Sequence, residues 1–335
     1  MKQLLKLSAA SLLVVGALGV QASTLSDVQA KGHLSCGVSK GLAGFSSADS
    51  SGTWTGIDVD VCRAVAAATL GDATKVKFVP LTAKERFTAL QSGEIDMLSR
   101  NTTWTITRDA SLGLNFAGVN YYDGQGFMVK SSLGISSAME LGGAAVCIQA
   151  CTTTELNLAD WGKSNGIDYN SVVSDTNAQT LSNYEAGRCD VLTTDASGLY
   201  SMRAGSNDPS EHVVLPEIIS KEPLGPVVRQ GDDEWFNIVK WTLIAMIQAE
   251  ESGVTSGNID TVTTNPTVER LAGRASQTHE YLHLSPSWSY DIIKQVGNYG
   301  ESFERNIGVN TPIGLSRGPN QLWTKGGILY APAFR

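Results

Sequence analysis

Residues 96–108, DMLSRNTTWTITR, gather the groups that hold an anion. A short apolar run, Met97 and Leu98, leads into Ser99, Asn101, Thr102, Thr103, Thr105 and Thr107, while Arg100 and Arg108 bracket Trp104. A guanidinium fork can grip both oxygens of a carboxylate, and hydroxyls add further donors. The stretch has no His, no Cys and no pair of carboxylates, so its chemistry is that of holding an anion rather than transforming one. The competing reading is a polar strand-to-helix turn, where Ser and Thr serve as caps.

The elements around this patch alternate strand and helix. HLSCGVS (33–39) reads as a strand. From Ile57 to Leu70 apolar residues recur at helical spacing until Gly71 stops them. KVKFVPL (75–81) reads as a strand, AKERFTALQS (83–92) as a helix closed by Gly93, and EIDML as the next strand. This βαβαβ order predicts a mostly parallel sheet covered by helices. The same order returns in AAVCIQA (144–150), TTTELNLADWGKSNG (152–166), SVVSD (171–175), NAQTLSNYEA (177–186) and CDVLTTD (189–195). Gly93-Glu94-Ile95-Asp96-Met97-Leu98 matches Gly187-Arg188-Cys189-Asp190-Val191-Leu192, which suggests two lobes with similar wiring. Ligands of open α/β sheets bind beyond the carboxyl ends of the strands. Those ends are the Ser39–Phe45 loop, Ser99–Arg108, Gln149–Thr154 and Thr193–Asp195, all rich in hydroxyls or carrying an isolated charge. Further along, 232–253 reads as a strong amphipathic helix. The segment with Trp288, Tyr290, Ile292, Ile293, Val296 and Tyr299 reads as one more packed helix, and the Gly/Pro-rich tail from Gly308 is expected to wrap a lobe surface.

Composition narrows the function. Lys2 and Lys6, an apolar run from Leu7 to Val20 and the small residues near Ala22 read as a secretory signal peptide, residues 1–22, with the mature chain beginning near Ser23. The Leu34-Ser35-Cys36 triplet lies too far past the apolar run to serve as a lipid-attachment box. The net charge of −8 argues against nucleic acid or an anionic membrane as partner, so an anion site must be locally basic against an acidic background. No second apolar stretch is long enough to span a membrane, and direct membrane insertion is not expected. Five cysteines in an exported chain allow two disulfides and one odd thiol. Cys36–Cys62 and Cys147–Cys189 are the favoured pairs, each joining the strand-like start of one unit to a later element of the same unit, which leaves Cys151 over. The four His do not interleave with the cysteines, so neither a zinc site nor any other metal or cofactor is expected.

These stretches resemble the periplasmic polar-amino-acid-binding proteins of ABC importers, most closely the general L-amino-acid-binding members. The resemblance runs through WTGIDVDVCRAVAAA (54–68), KERFTALQSGEIDMLSRNTTWT (84–105), KEPLGPVVRQGDDEWFNIVKWTL (221–243), IIKQVGNYGESFERN (292–306) and WTKGGILYAP (323–332). It implies a type II periplasmic-binding-protein fold of two α/β lobes, each a mostly parallel sheet flanked by helices. The lobes are joined by two hinges, near Gly124–Phe127 and Glu222–Val227. Lobe 1 would comprise 23–124 and 228–335, and lobe 2 residues 125–227. The resemblance also assigns roles. Arg108 grips the ligand α-carboxylate, with Thr103 and Asn101 beside it. Thr153 belongs to a turn, Cys151-Thr152-Thr153, whose first residue is usually Gly; Asp195 pairs with the ligand ammonium. The aromatic usual after the first strand is missing, so Phe45, Trp54 or Trp104 would replace it, with Arg100 as a further candidate for side-chain recognition.

The function this implies is an exported, monomeric, non-enzymatic receptor that carries L-amino acids through the periplasm to an inner-membrane ABC permease. The alternative is an exported dehydratase on the same fold, acting on cyclohexadienyl substrates such as arogenate. That chemistry needs a general acid in the cleft, for which Glu155 is the available candidate. A chemoreceptor subunit is a third class, which sequence alone does not separate from transport.

Overall fold

The computed structural model describes residues 23–263, 265–275 and 277–335; the expected signal peptide lies outside them. Helix α1 (Thr24–Lys31) leads into β1 (Leu34–Ser39), a small hairpin of β2 (Ser47–Ala48) and β3 (Trp54–Thr55), then α2 (Ile57–Leu70), β4 (Val76–Leu81), α3 (Arg86–Gln91), β5 (Met97–Leu98), α4 (Ile106–Ser111) and β6 (Leu114–Phe116). Strand β7 (Tyr121–Asp123) crosses to a second unit built from β8 (Gln125–Lys130), β9 (Ala145–Gln149), α5 (Thr153–Asn165), β10 (Asn170–Ser174), α6 (Asn177–Glu185), β11 (Val191–Asp195), α7 (Ala196–Ala204) and β12 (His212–Val214). The chain returns through β13 (Glu222–Leu224), which pairs antiparallel with β7, to β14 (Val227–Arg229). It continues with α8 (Asp233–Glu251), α9 (Pro266–Leu271), α10 (Thr278–Leu282), α11 (Trp288–Gln295) and α12 (Tyr299–Asn306).

Two sheets carry the lobes, in the orders β4-β1-β5-β14-β6 and β10-β9-β11-β8-β12. Their first three strands are parallel, as the repeated βαβαβ pattern requires. The repeat extends to individual hydrogen bonds. Asp96 takes the Ser35 N–H at 2.7 Å on its carboxylate and donates its own N–H to Ser35 O; Asp190 does the same with Ala145, at 3.0 Å. Each Asp sits just before the middle strand of its five-stranded sheet, three residues after a glycine with φ near +70 to +80° that ends the preceding helix. Helix α2 is buried along almost its whole length between the first sheet and the later helices, since its surface is mostly Ala and Val. Trp235 of α8 anchors the return segment through its indole N–H to Asp96 O.

The C-terminal segment departs from the sequence expectation. The single helix read across Trp288–Tyr299 is two, α11 and α12, broken at Gly297 with φ +96°, and Asn298 caps the second with Glu301 in a capping box. The tail beyond Gly308 packs on the crossing rather than on a lobe surface alone: Asn320 accepts from the Tyr122 N–H at 2.7 Å and donates to Tyr122 O at 3.0 Å.

Both expected disulfides are formed, Cys36–Cys62 tying β1 to α2 and Cys147–Cys189 tying β9 to the start of β11. They close loops of 26 and 42 residues, so removing either by a double Cys→Ser exchange should cost about 3–4 kcal/mol in urea unfolding.

Candidate functional site

The anion-holding stretch begins where β5 ends. Asp58, buried in the first turn of α2, accepts from Ser99 Oγ, from the Asn101 N–H at 2.7 Å and from Asn120 Nδ2. Those bonds pin the Ser99–Asn101 turn, which Asn101 makes with a positive φ. Burial pushes the Asp58 carboxyl up, and the three donors offset it. Thr105 then caps α4, and the helix presents Arg108 inward. Arg108 is 8 % exposed, donates from Nη1 to Thr103 O at 2.9 Å and lies against the Phe87 ring. Arg86 packs on the same ring, so two guanidiniums flank one aromatic. Burial lowers the pKa of Arg86, Arg100 and Arg108 alike; Glu222 and Asp195 partly restore that of Arg108.

The second lobe faces this patch with the start of α5 and the end of β11. Cys151 adopts φ +59°, the geometry that a glycine would take most easily, and its N–H is satisfied by Glu155 at 2.7 Å. Glu155, the acid singled out from sequence for dehydratase chemistry, is thus engaged by the turn that precedes its own helix. Thr153 reaches across to Thr103 at 3.3 Å, and Ser201 of α7 donates to Ala43 O at 2.8 Å, so the lobes are closed on each other.

Asp195 lies at the end of β11, paired across the strands with Gln125. Burial raises its carboxyl well above the ordinary range, the neighbouring Asp123 and Glu222 push the same way, and Asn101 and Arg108 pull it back. Burial also pushes Asp123 up to about 6. Two buried oxygens, Asn101 Oδ1 and Gln125 Oε1, make no hydrogen bond among the described residues. Buried acceptors are rarely left so, because each costs on the order of 1–3 kcal/mol.

Of the residues singled out from sequence, Arg108, Thr103, Asn101, Thr153 and Asp195 converge between the lobes. Arg100 is buried beside them and lines an adjoining cavity. Phe45 does not face the cleft: it is 1 % exposed in the hydrophobic core, edge-on to Tyr121 at 5.4 Å. Trp104 stacks on Phe116 and lines a groove behind the crossing with Tyr121 and Tyr122, and Trp54 packs on Phe78. Aromatic rings this apolar are drawn to other rings before a hydrated cleft.

The residue that sequence reasoning missed is Glu222, at the start of β13. It is 1 % exposed and accepts Thr103 Oγ1 at 2.5 Å and Thr153 Oγ1 at 2.9 Å on one oxygen, Asn157 Nδ2 at 2.5 Å and Ser220 Oγ at 2.8 Å on the other. Nothing periodic marks it in KEPLGP; the sole hint is an acid beside the close turn at Gly225, where an added Cβ would fall 1.9 Å from Gly118 O.

Two facing α/β lobes joined by two crossings, with opposite charges meeting between them, define a two-lobed solute-binding protein. The chain belongs to the bacterial extracellular solute-binding proteins, family 3, whose model matches residues 34–269. It is 58% identical to the general L-amino acid-binding periplasmic protein AapJ of Rhizobium johnstonii, over 97% of each chain. It is 54% identical to the glutamate/glutamine/aspartate/asparagine-binding protein BztA of Rhodobacter capsulatus, over 96% of each. A periplasmic binding protein of an ABC transporter from Brucella ovis, solved with glutathione bound, superposes with a TM-score of 0.91 at 55% identity, covering 94% of this chain and 100% of that one. These relatives are transport components, and the chain is a binding protein rather than an enzyme.

A threonine hydroxyl has one proton to give. While Thr103 and Thr153 donate to Glu222, neither can donate to a ligand carboxylate, so Glu222 competes for the same two donors. Glu222→Gln removes the competing charge and should tighten α-amino-acid binding by up to about tenfold in calorimetric titration, roughly the worth of one charge-assisted bond.

Proposed function

We propose that this protein captures an L-amino acid between its lobes in the periplasm and hands it to an inner-membrane ABC permease. In this reading lobe 1 (23–124 and 228–335) and lobe 2 (125–227) close about the paired strands β7 and β13. The protein acts as a monomer exported by residues 1–22.

The observation that carries the reading is the sorting of charge across the closed cleft. Arg108, with the Thr103 and Thr153 hydroxyls and the first turn of α5, supplies donors for an α-carboxylate. Asp195, with the unpartnered Asn101 Oδ1 and Gln125 Oε1, supplies acceptors for an α-ammonium. A zwitterion fits both halves. Each half loses hydration on closure, so closing is favoured when the ligand replaces water on both. Fixing the α-groups leaves the side chain free to vary, which agrees with the general L-amino-acid and four-amino-acid binding named for the two relatives. Glutathione, held by the Brucella ovis protein, carries the same α-amino-acid head on its γ-glutamyl end.

Arg108→Ala and Asp195→Ala should each weaken binding of L-glutamine and L-alanine by at least about 30-fold in calorimetric titration, the cost of leaving a buried charge unpaired. Unchanged Kd in both variants would overturn the assignment.

A further inference from the structure

The ribbon at the crossing has two faces. Residues 102–104 extend it on one edge, since the Trp104 N–H donates to Pro223 O at 2.8 Å and the Gly225 N–H to Thr102 O at 3.0 Å. Successive side chains of a strand point to opposite faces. Thr103 meets Glu222 on the cleft face. Trp104, Pro223 and Tyr122, which is paired with Pro223 across the strands, therefore share the other face. There they floor a groove of about 940 Å³, whose lining includes none of Arg108, Asp195, Asn101 and Thr153.

One wall of the groove is a strap, residues 316–320 with Ile328. In the lobe division proposed above it belongs to lobe 1, and it is firmly mounted there. Arg317 is 8 % exposed; its Nε donates to Asn320 O at 3.0 Å, its Nη2 to Glu250 of α8 at 3.0 Å, and its guanidinium lies over the Tyr299 and Phe303 rings of α12. Ile328 is tied back by its N–H to Pro319 O at 2.9 Å. Asn320 then binds both backbone groups of Tyr122, occupying the free edge of β7 as a further strand would. The strap lies past residue 269, where the family match ends. The opposite wall comes from lobe 2, with Tyr200 of α7 and Ile218. No hydrogen bond, ion pair or ring contact joins the strap to that wall among the described residues. Ile218 and Ile328, on opposite walls, are 55 % and 53 % exposed.

Lobes that turn about β7 and β13 part the residues on the cleft face and bring together those on the face behind it. The groove is thus space that the closed protein keeps and an opening movement uses up. Isoleucines on both walls gain by meeting, since each then leaves water. Beyond contact the strap has no slack, because Arg317 and Asn320 fix it to α8, α12 and β7 at once.

Resting on closure about β7 and β13 as read above, we infer that the strap is a stop for lobe opening, and that the groove is the seat that Tyr200 and Ile218 enter when the cleft parts. The strap sets how far the empty protein opens, and the apolar seat sets how readily it stays open. Residues remote from the clamp therefore tune its affinity, because a protein whose closed form is scarce binds more weakly in proportion.

Small-angle X-ray scattering of the empty and L-glutamine-saturated protein, together with calorimetric titration of L-glutamine, tests this. Ser316 is exposed, and Ser316→Trp wedges an indole into the groove. The empty form of this variant should have a radius of gyration close to that of the liganded protein, and its Kd should fall about three- to tenfold as the closed form becomes populated. Ile218→Ala combined with Ile328→Ala, two exposed sites, should enlarge the empty form beyond wild type and leave the liganded form unchanged. Wild-type radii in both variants, with unaltered circular dichroism, would overturn the stop while leaving the clamp standing. So would a wild-type protein that binds L-glutamine without any change of radius. Failure of the wild-type protein to bind L-glutamine would overturn the amino-acid reading instead, and the radii of the empty variants would still decide the stop.

Discussion

A buried guanidinium keeps its charge only if the surrounding structure repays the lost hydration, and this cleft buries three, Arg86, Arg100 and Arg108. Part of the repayment is internal. Arg108 leans on Thr103 O and the Phe87 ring, and Arg100 on Leu81 O. Three acids, Asp123, Asp195 and Glu222, share the cleft with them, and burial together with Asp123 and Glu222 holds the Asp195 carboxyl well above its ordinary range.

Holding such groups in place demands rigid mounts. The mounts come from a duplicated arrangement in which an aspartate after a positive-φ glycine locks the start of a central strand. Each strand then delivers its last residues to the same gap, from opposite sheets. Disulfides tie the first parallel strand of each lobe to a later element, β1 to α2 and β9 to the start of β11. The turn after β5 is further pinned by Asp58, a carboxylate that serves the site without entering it.

The crossing also ties the lobes to each other, because Glu222 sits on it and accepts hydroxyl hydrogen bonds from Thr103 of one lobe and Thr153 of the other. The C-terminal tail, through Asn320 on the backbone of Tyr122, braces the other strand of the crossing.

Much of this was legible in the residues alone. Alternating apolar patterns with glycine stops placed the βαβαβ unit of each lobe, the shared Gly-x-x-Asp spacing announced the duplication, and the disulfide partners followed from the units they close. Arg108, in α4, and Asp195, at the end of β11, were singled out through the family resemblance of the stretches that hold them. Other features were invisible to any local pattern. Glu222 meets Thr103 across 119 residues of chain, and Arg86 is the first residue of α3, with no local pattern to mark it. Phe45, a plausible ligand platform by type, is claimed by Tyr121 in the core, whereas Trp104 stacks on Phe116 and stays 40 % exposed on a groove shared with Asp123 and Glu222. Sequence determined which elements form and which charges end them, since those depend on periodicity and on residues a few positions apart. Only the tertiary structure decided which charges share the cleft and which rings are withdrawn from it, because burial and pairing are set by contacts between segments distant in the chain.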